Sequence, residues 1–173
     1  MIALSRPSIG EDEIAAVVEV LESGMLASGA RVEEFEEKFA AACGTSDAVA
    51  VGSGTAALHL SLLAMGIGPG DEVIVPSFTF AASANSVRMV GATPAFADVD
   101  RNDYTIHAEA IEPLINDRTK AVMPVHLYGQ MAPMDEITEL AAEAGINVIE
   151  DAAQAHIAET NGRKAGSMGT AGA

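Results

Sequence analysis

Short apolar runs rich in β-branched residues alternate along this chain with longer segments whose apolar positions recur every three or four residues. That alternation leaves few folds open. Strands joined by helical crossovers lie parallel and need helices over both faces, so the pattern predicts an α/β protein, a three-layer sandwich around a mostly parallel sheet. The runs that read as strands are Ala48–Val51, Glu72–Val75, Thr93–Ala97, Ala121–Val125 and Asn147–Ile149. The helical segments between them are Ala56–Met65, Phe80–Val90, Ala108–Ile115 and Met134–Ala144. With 173 residues and 49% hydrophobic content there is material for one domain with a substantial core.

Two further helices precede the sheet, over about residues 8–44. Ser8-Ile9-Gly10-Glu11 fits a capping box, Ile14, Val17, Val18 and Leu21 share the face expected to turn inward, and Gly24 stops the first helix. The second is expected to carry Val32, Phe35, Phe39 and Cys43 inward and to end at Gly44. Asn161-Gly162 predicts a tight hairpin turn. From Gly166 to Ala173 the residues are small and open no capped element, so the chain reads as cut rather than finished.

Charge removes one class of partner. Lys and Arg number 9 against 25 Asp and Glu, a net charge of -16, and the basic residues are dispersed, so a nucleic-acid backbone would be repelled. Acids such as Glu33, Glu34, Glu36 and Glu37 fall at helical spacing and serve solubility. Cys43 is the only cysteine, which excludes an internal disulfide or a cysteine-based zinc cluster, and its alanine neighbours suggest a small buried thiol. The opening MIALSRPSIGEDE lacks an apolar stretch of signal-peptide length, and no window is apolar over the roughly 20 residues that cross a bilayer. The expectation is a soluble, cytoplasmic protein with no membrane contact.

Three places carry candidate chemistry. Gly52-Ser53-Gly54-Thr55 lies between a strand and a helix, where free N–H groups and the positive helix end favour an anion such as phosphate. The same turn also reads as ordinary capping by Thr55. Through Ala57 it matches the dinucleotide fingerprint as well, but Asp71 and Glu72 stand at the start of the next strand rather than its end, where that fingerprint asks for an acid. Asp151 ends the strand Asn147–Ile149 on the edge where parallel sheets bind ligands, although it also suits a turn cap. A carboxylate there can keep a pyridine nitrogen protonated, and Gln154 can donate to a ring oxygen. In Pro76-Ser77-Phe78-Thr79-Phe80-Ala81-Ala82-Ser83, where another strand ends and a helix starts on the same edge, the two phenylalanines suit either ring stacking or the core. His59 and His107 read as structural, His126 as either a site residue or a buried hydrogen-bonding group, and His156 as the better neighbour of the site; none has metal-ligand spacing.

Taken in order, RPSIGEDEI, SGARVEEFEEKFA, AVGSGTAALHL, GDEVIVPSFTFAASANSV, GATPAFADVD, VMPVHLYGQMAPMDEI and VIEDAAQAH resemble the DegT/DnrJ/EryC1/StrS sugar aminotransferases over nearly the whole chain. The resemblance implies the large domain of a fold type I transferase dependent on pyridoxal 5'-phosphate, with residues 1–173 as its N-terminal part and the small C-terminal domain absent. It implies that Gly54, Thr55 and Ala56 bind the cofactor phosphate, Phe80 stacks on the ring, Asp151 pairs with the ring nitrogen and Gln154 with the ring oxygen. It further implies a homodimer that moves an amino group from an amino acid, typically glutamate, to a nucleotide-linked keto-sugar. The family's Schiff-base lysine has no counterpart here, since Lys164 falls at the expected hairpin, and the chain alone is expected to be inactive. A nicotinamide-binding oxidoreductase domain, a cofactor-dependent sugar dehydratase of the same family and a non-catalytic module remain the alternatives.

Overall fold

The computed structural model describes residues 6–173, so the first five residues of the segment read as carrying no leader lie outside the described ones. Helices α1 (Glu11–Ser23), α2 (Ala30–Cys43) and α3 (Gly54–Ala64) come first. Then follow β1 (Glu72–Pro76), α4 (Ala82–Met89), β2 (Thr93–Ala97), α5 (Ala108–Ile111, extended by a 3-10 turn to Leu114), β3 (Thr119–Val122), α6 (Met134–Ala144) and β4 (Asn147–Glu150). A small hairpin of β5 (Glu159–Thr160) and β6 (Arg163–Lys164) precedes β7 (Ala171–Gly172).

The sheet runs β2-β1-β3-β4-β7, and every pairing in it is parallel. Side chains of a strand alternate between faces, and β1 shows what that does. Val73 and Val75 pack with Leu58 and Leu62 of α3 and with Val87 of α4. Ile74 faces the other way, with Ile111 of α5 and Met134, Ile137 and Ala141 of α6. The result is the three-layer α/β sandwich expected from the alternation, and each buried Leu, Ile or Val contributes about 1.5–3 kcal/mol of burial. From β1 the chain steps outward to β2, then back past β1 to β3. That reversal puts α4 and α6 on opposite faces and opens a crevice at the carboxyl ends of β1 and β3.

Several boundaries differ from expectation for physical reasons. Ala48–Val51 forms no strand: Val49 is 79% exposed, and the Ala50 N–H donates to a Glu36 carboxylate at 2.7 Å instead of a neighbouring strand. Apolar composition alone makes no strand without a ladder partner. Strand β3 stops at Val122 because Pro124 has no N–H to give, and only a single bridge, Val125 to Asp151, follows. Pro113 likewise ends α5 early, removing one helical donor. The first helix begins from Gly10, whose N–H donates to the Glu13 carboxylate at 2.6 Å, not from a Ser8–Glu11 box. Gly24 and Gly44 close α1 and α2 in the left-handed conformation, as expected.

The apolar face of α1 exists but does not turn inward. Ile14, Val17, Val18 and Leu21 are all exposed, because periodicity identifies a face and not what covers it. On α2, Cys43 is buried and Phe39 half-buried, whereas Phe35 stacks on Phe39 from the solvent side with centroids 5.4 Å apart. Burial raises the Cys43 thiol pKa, so this cysteine is an inert core group.

The Gly166–Ala173 tail is not structureless. Two small residues pair as β7 with β4, and Ala173 accepts from the Ala152 N–H at 2.7 Å. Glycine is required by close approach here: a Cβ on Gly169 would stand 2.7 Å from the Val148 carbonyl oxygen, and one on Gly172 would collide with Gly166. Gly169→Ala is therefore expected to destabilise the fold by about 1–3 kcal/mol, the usual cost of overpacking. Urea denaturation checks this; an unchanged midpoint would contradict it.

Candidate active site

The turn before α3 leaves two donors free. Ser53, in extended conformation, caps the helix by accepting the Ala56 N–H at 3.2 Å, so the cap is Ser53 and not Thr55. The Gly54 and Thr55 N–H groups have no acceptor among the described residues. They are the unfilled donors of an eleven-residue helix, at its positive end. Gly54 also approaches the turn after β4, since a Cβ there would lie 3.3 Å from Ala153 Cβ.

These donors open into a cavity of about 180 Å³ at the carboxyl edge of the sheet. The structure brings Gly54, Thr55, Phe80, Asp151 and Gln154 together in its wall, with Thr79 and Val125 between them. They arrive from four places in the chain: the start of α3 and the segments that follow β1, β3 and β4. Ala56 is not in the wall, and its N–H is already occupied by Ser53.

Asp151 is 6% exposed. Its backbone is fixed by Asp151 N–H to the Pro124 carbonyl at 2.9 Å and by the His126 N–H to its own carbonyl at 3.0 Å. Its Oδ2 accepts from the Ser83 hydroxyl at 2.8 Å, and Oδ1 accepts weakly from the Ala153 N–H at 3.3 Å. Among the described residues no Lys, Arg or His forms an ion pair with it. A buried carboxylate without a cation is costly, so a positive group placed against Asp151 would be favoured.

The remaining wall suits a flat ring. Phe80 is 70% exposed at the edge, far from a core position. Gln154 accepts the Tyr128 N–H at 3.1 Å through its side-chain oxygen, which leaves its amide N–H groups as donors. Phe78 instead leans on Tyr104, with centroids 5.9 Å apart, and is not in the wall.

The histidines sort differently from the site residues. His126 is wholly buried and bonded to Glu150 at 2.9 Å, a structural role. His156, expected nearest the site, is absent from the wall and sets its ring edge-on to Phe39 at 6.2 Å. His107 pairs with Asp103 at 2.9 Å, and its pKa is raised: burial opposes that, but the Asp103 hydrogen bond and charge outweigh it. His59 is half-buried within α3. Lys164 lies in the β5–β6 hairpin and pairs with Glu159, and the Asn161-Gly162 turn takes positive φ at both residues as the sequence predicts.

Ser83, Thr79 and Glu150 lie within the candidate segments but have no role legible in the sequence. The first two carry no signal beyond being hydroxyls in a run of small residues; Glu150 is visible only as the neighbour of Asp151.

Known proteins bear on this geometry. The model of the DegT/DnrJ/EryC1/StrS aminotransferase family matches residues 7–173. The chain is 50% identical over 169 residues to GDP-perosamine synthase of Caulobacter vibrioides, covering 97% of this chain and 46% of that protein. Among solved structures, DesV of S. venezuelae in complex with a ketimine intermediate is 48% identical, with a TM-score of 0.88, over 89% of this chain and 42% of that one. Spr1654 of Streptococcus pneumoniae in its PLP form is 32% identical with a TM-score of 0.93, over 97% of this chain and 47% of that one. The chain thus spans less than half the length of these relatives.

The parallel sheet covered by helices is the fold of the fold type I pyridoxal-phosphate transferases, as in these structural relatives. Within that class, the chain belongs to the DegT/DnrJ/EryC1/StrS aminotransferase family. No described helix is long and apolar enough to cross a membrane.

Proposed function

We propose that this chain is the N-terminal part of the cofactor-binding domain of a pyridoxal-phosphate aminotransferase, one that moves an amino group from an amino acid, glutamate foremost, to a nucleotide-linked keto-sugar. The observation that carries the reading is Asp151, a buried carboxylate with no cation of its own among the described residues, set across one cavity from two free helix N–H groups. The group's parts match the wall: a phosphate for the N–H pair, a ring nitrogen for the carboxylate, a ring face for Phe80 and a ring oxygen for Gln154.

In this reading Gly54 and Thr55 bind the phosphate, with the α3 dipole adding to two direct bonds. Asp151 holds the proton on the ring nitrogen, Phe80 covers one ring face, and Gln154 donates to the ring oxygen. Bound so, the cofactor supplies an electron sink for the substrate carbon. Neither Lys38, Lys120 nor Lys164 lies in the cavity wall. Transamination therefore needs a lysine from beyond these residues, and the chain alone is expected to be inactive. Ala173 bonds to Ala152 beside Asp151, so a continuing chain would start at the site. The small C-terminal domain and a second copy of the protein belong to the same proposal, and the uncovered apolar face of α1 offers them surface.

The nicotinamide alternative has less support. Glu72 opens β1 and is engaged by Arg118 and Asn116, and Pro76 ends the strand with no acid there.

Pyridoxamine phosphate tests the phosphate role, because it needs no lysine to bind. Gly54→Pro keeps a residue favoured at the first helical position but deletes one N–H. Gly54→Ala adds the same Cβ and keeps the N–H. The proline variant is expected to bind about tenfold more weakly than the alanine variant, the worth of one hydrogen bond to a charged group. Equal affinities by fluorescence titration would contradict phosphate binding at this turn.

A further inference from the structure

We propose that Ser83 is the positioning residue for Asp151. The inference rests on the reading of Asp151 as partner of the ring nitrogen. Ser83 is wholly buried, and its Oγ lies 2.8 Å from Asp151 Oδ2, 3.0 Å from Thr79 Oγ1 and 3.3 Å from the Phe80 carbonyl oxygen. A hydroxyl has one proton to give, and the nearer, charged acceptor takes it. Thr79 then donates to Ser83, which gives a directed chain from Thr79 in the cavity wall through Ser83 to the carboxylate.

Ser83 is itself held. Its backbone N–H donates to the Phe80 carbonyl at 3.1 Å, and the Ser86 hydroxyl donates to its own carbonyl at 2.8 Å. The donor is thus fixed by the first turn of α4, while the acceptor sits at the end of β4. Anchoring Oδ2 at 2.8 Å fixes the rotation of the carboxylate and leaves Oδ1, whose Ala153 contact is 3.3 Å, as the oxygen with spare accepting capacity. That is the oxygen available to a ring N–H.

Among the described residues, no other side chain donates to either oxygen of Asp151. Removing the Ser83 hydroxyl therefore leaves the carboxylate with one weak backbone bond and freedom to turn.

The test is binding of pyridoxamine phosphate to the full chain, measured by fluorescence titration, with melting temperature recorded without ligand. Ser83→Ala is expected to weaken binding about tenfold, the worth of a hydrogen bond to a charged group. Ser83→Cys, similar in volume with a poorer donor, should fall between, and Ser83→Thr should restore binding. The decisive arm is the double-mutant cycle with Asp151→Asn. If Ser83 acts through Asp151, its alanine substitution costs nothing further once Asp151→Asn is in place. A tenfold loss that persists there, or alanine and cysteine variants that bind like the unmodified chain while Asp151→Asn binds weakly, would overturn the role of Ser83 alone. Unchanged binding by Asp151→Asn would overturn the reading of Asp151, and this inference with it.

Discussion

Glu150→Ala is expected to cost the fold about 3–5 kcal/mol, because His126 Nε2–H and three loop N–H groups lose their acceptor, at about 1–3 kcal/mol for each one left unsatisfied. Glu150 and His126 are both fully buried. The carboxylate accepts from His126 Nε2 at 2.9 Å and from the N–H groups of Gly166 at 2.9 Å, Met168 at 2.7 Å and Gly169 at 2.6 Å. His126 Nδ1 accepts the Ala132 N–H at 3.2 Å, so Nε2 carries the ring proton and the imidazole is neutral. Alanine would leave all of these donors without an acceptor, and the loop that feeds β7 would lose its anchor.

The same contacts set a pH dependence. Burial pushes the Glu150 carboxyl up, but the donors from His126, Gly166, Gly169 and Met168 together outweigh it and hold the group below the ordinary carboxylate range. A lowered folded pKa means stability that is fully present above the unfolded value of about 4.3 and lost as pH falls through the folded value. Denaturation of the unmodified chain should therefore weaken below about pH 4 more steeply than that of Glu150→Gln, which has no proton to gain at this position. A loss under about 1 kcal/mol for Glu150→Ala at pH 7 would show that the network contributes little.

Asp151→Asn is expected to move binding and stability in opposite directions. The amide is isosteric and can still bond to Ser83, whose hydroxyl both donates and accepts. It removes a buried charge that no described cation compensates, so the ligand-free fold should hold steady or gain up to about 1 kcal/mol. Pyridoxamine phosphate should bind about 100-fold more weakly, since a charged hydrogen bond to the ring nitrogen is worth as much as about 3 kcal/mol. A site residue retained against stability is the signature of function. Loss of stability together with unchanged binding would instead make Asp151 a turn cap.

Much of this fold is legible in the sequence because it depends on local pattern. Thr93–Ala97 and Met134–Ala144 can be read to the residue, for a strand and an amphipathic helix announce themselves by period. What depends on partners cannot. Ala48–Val51 has strand composition and no ladder, β7 has a ladder and no strand composition, and α1 has an apolar face that nothing described covers. In the candidate site, Gly54, Thr55, Phe80, Asp151 and Gln154 announce themselves as turn, aromatic and edge carboxylate near strand ends. Ser83 and Glu150 are read only from distances across the fold, to residues far away in sequence or donors on a loop without pattern.

On the proposed reading, one cavity takes a phosphate at the start of α3 and a protonated ring nitrogen at Asp151. Amide NMR of the isotopically labelled chain, titrated with pyridoxamine phosphate, measures this without a lysine and without turnover. Saturable shifts are expected at the Gly54 and Thr55 amides, with Ala153 moving alongside, and their loss in Asp151→Asn at the same ligand concentration. Shifts confined to other parts of the chain, or none at saturating ligand while NAD moves the Gly54 and Thr55 amides, would contradict it.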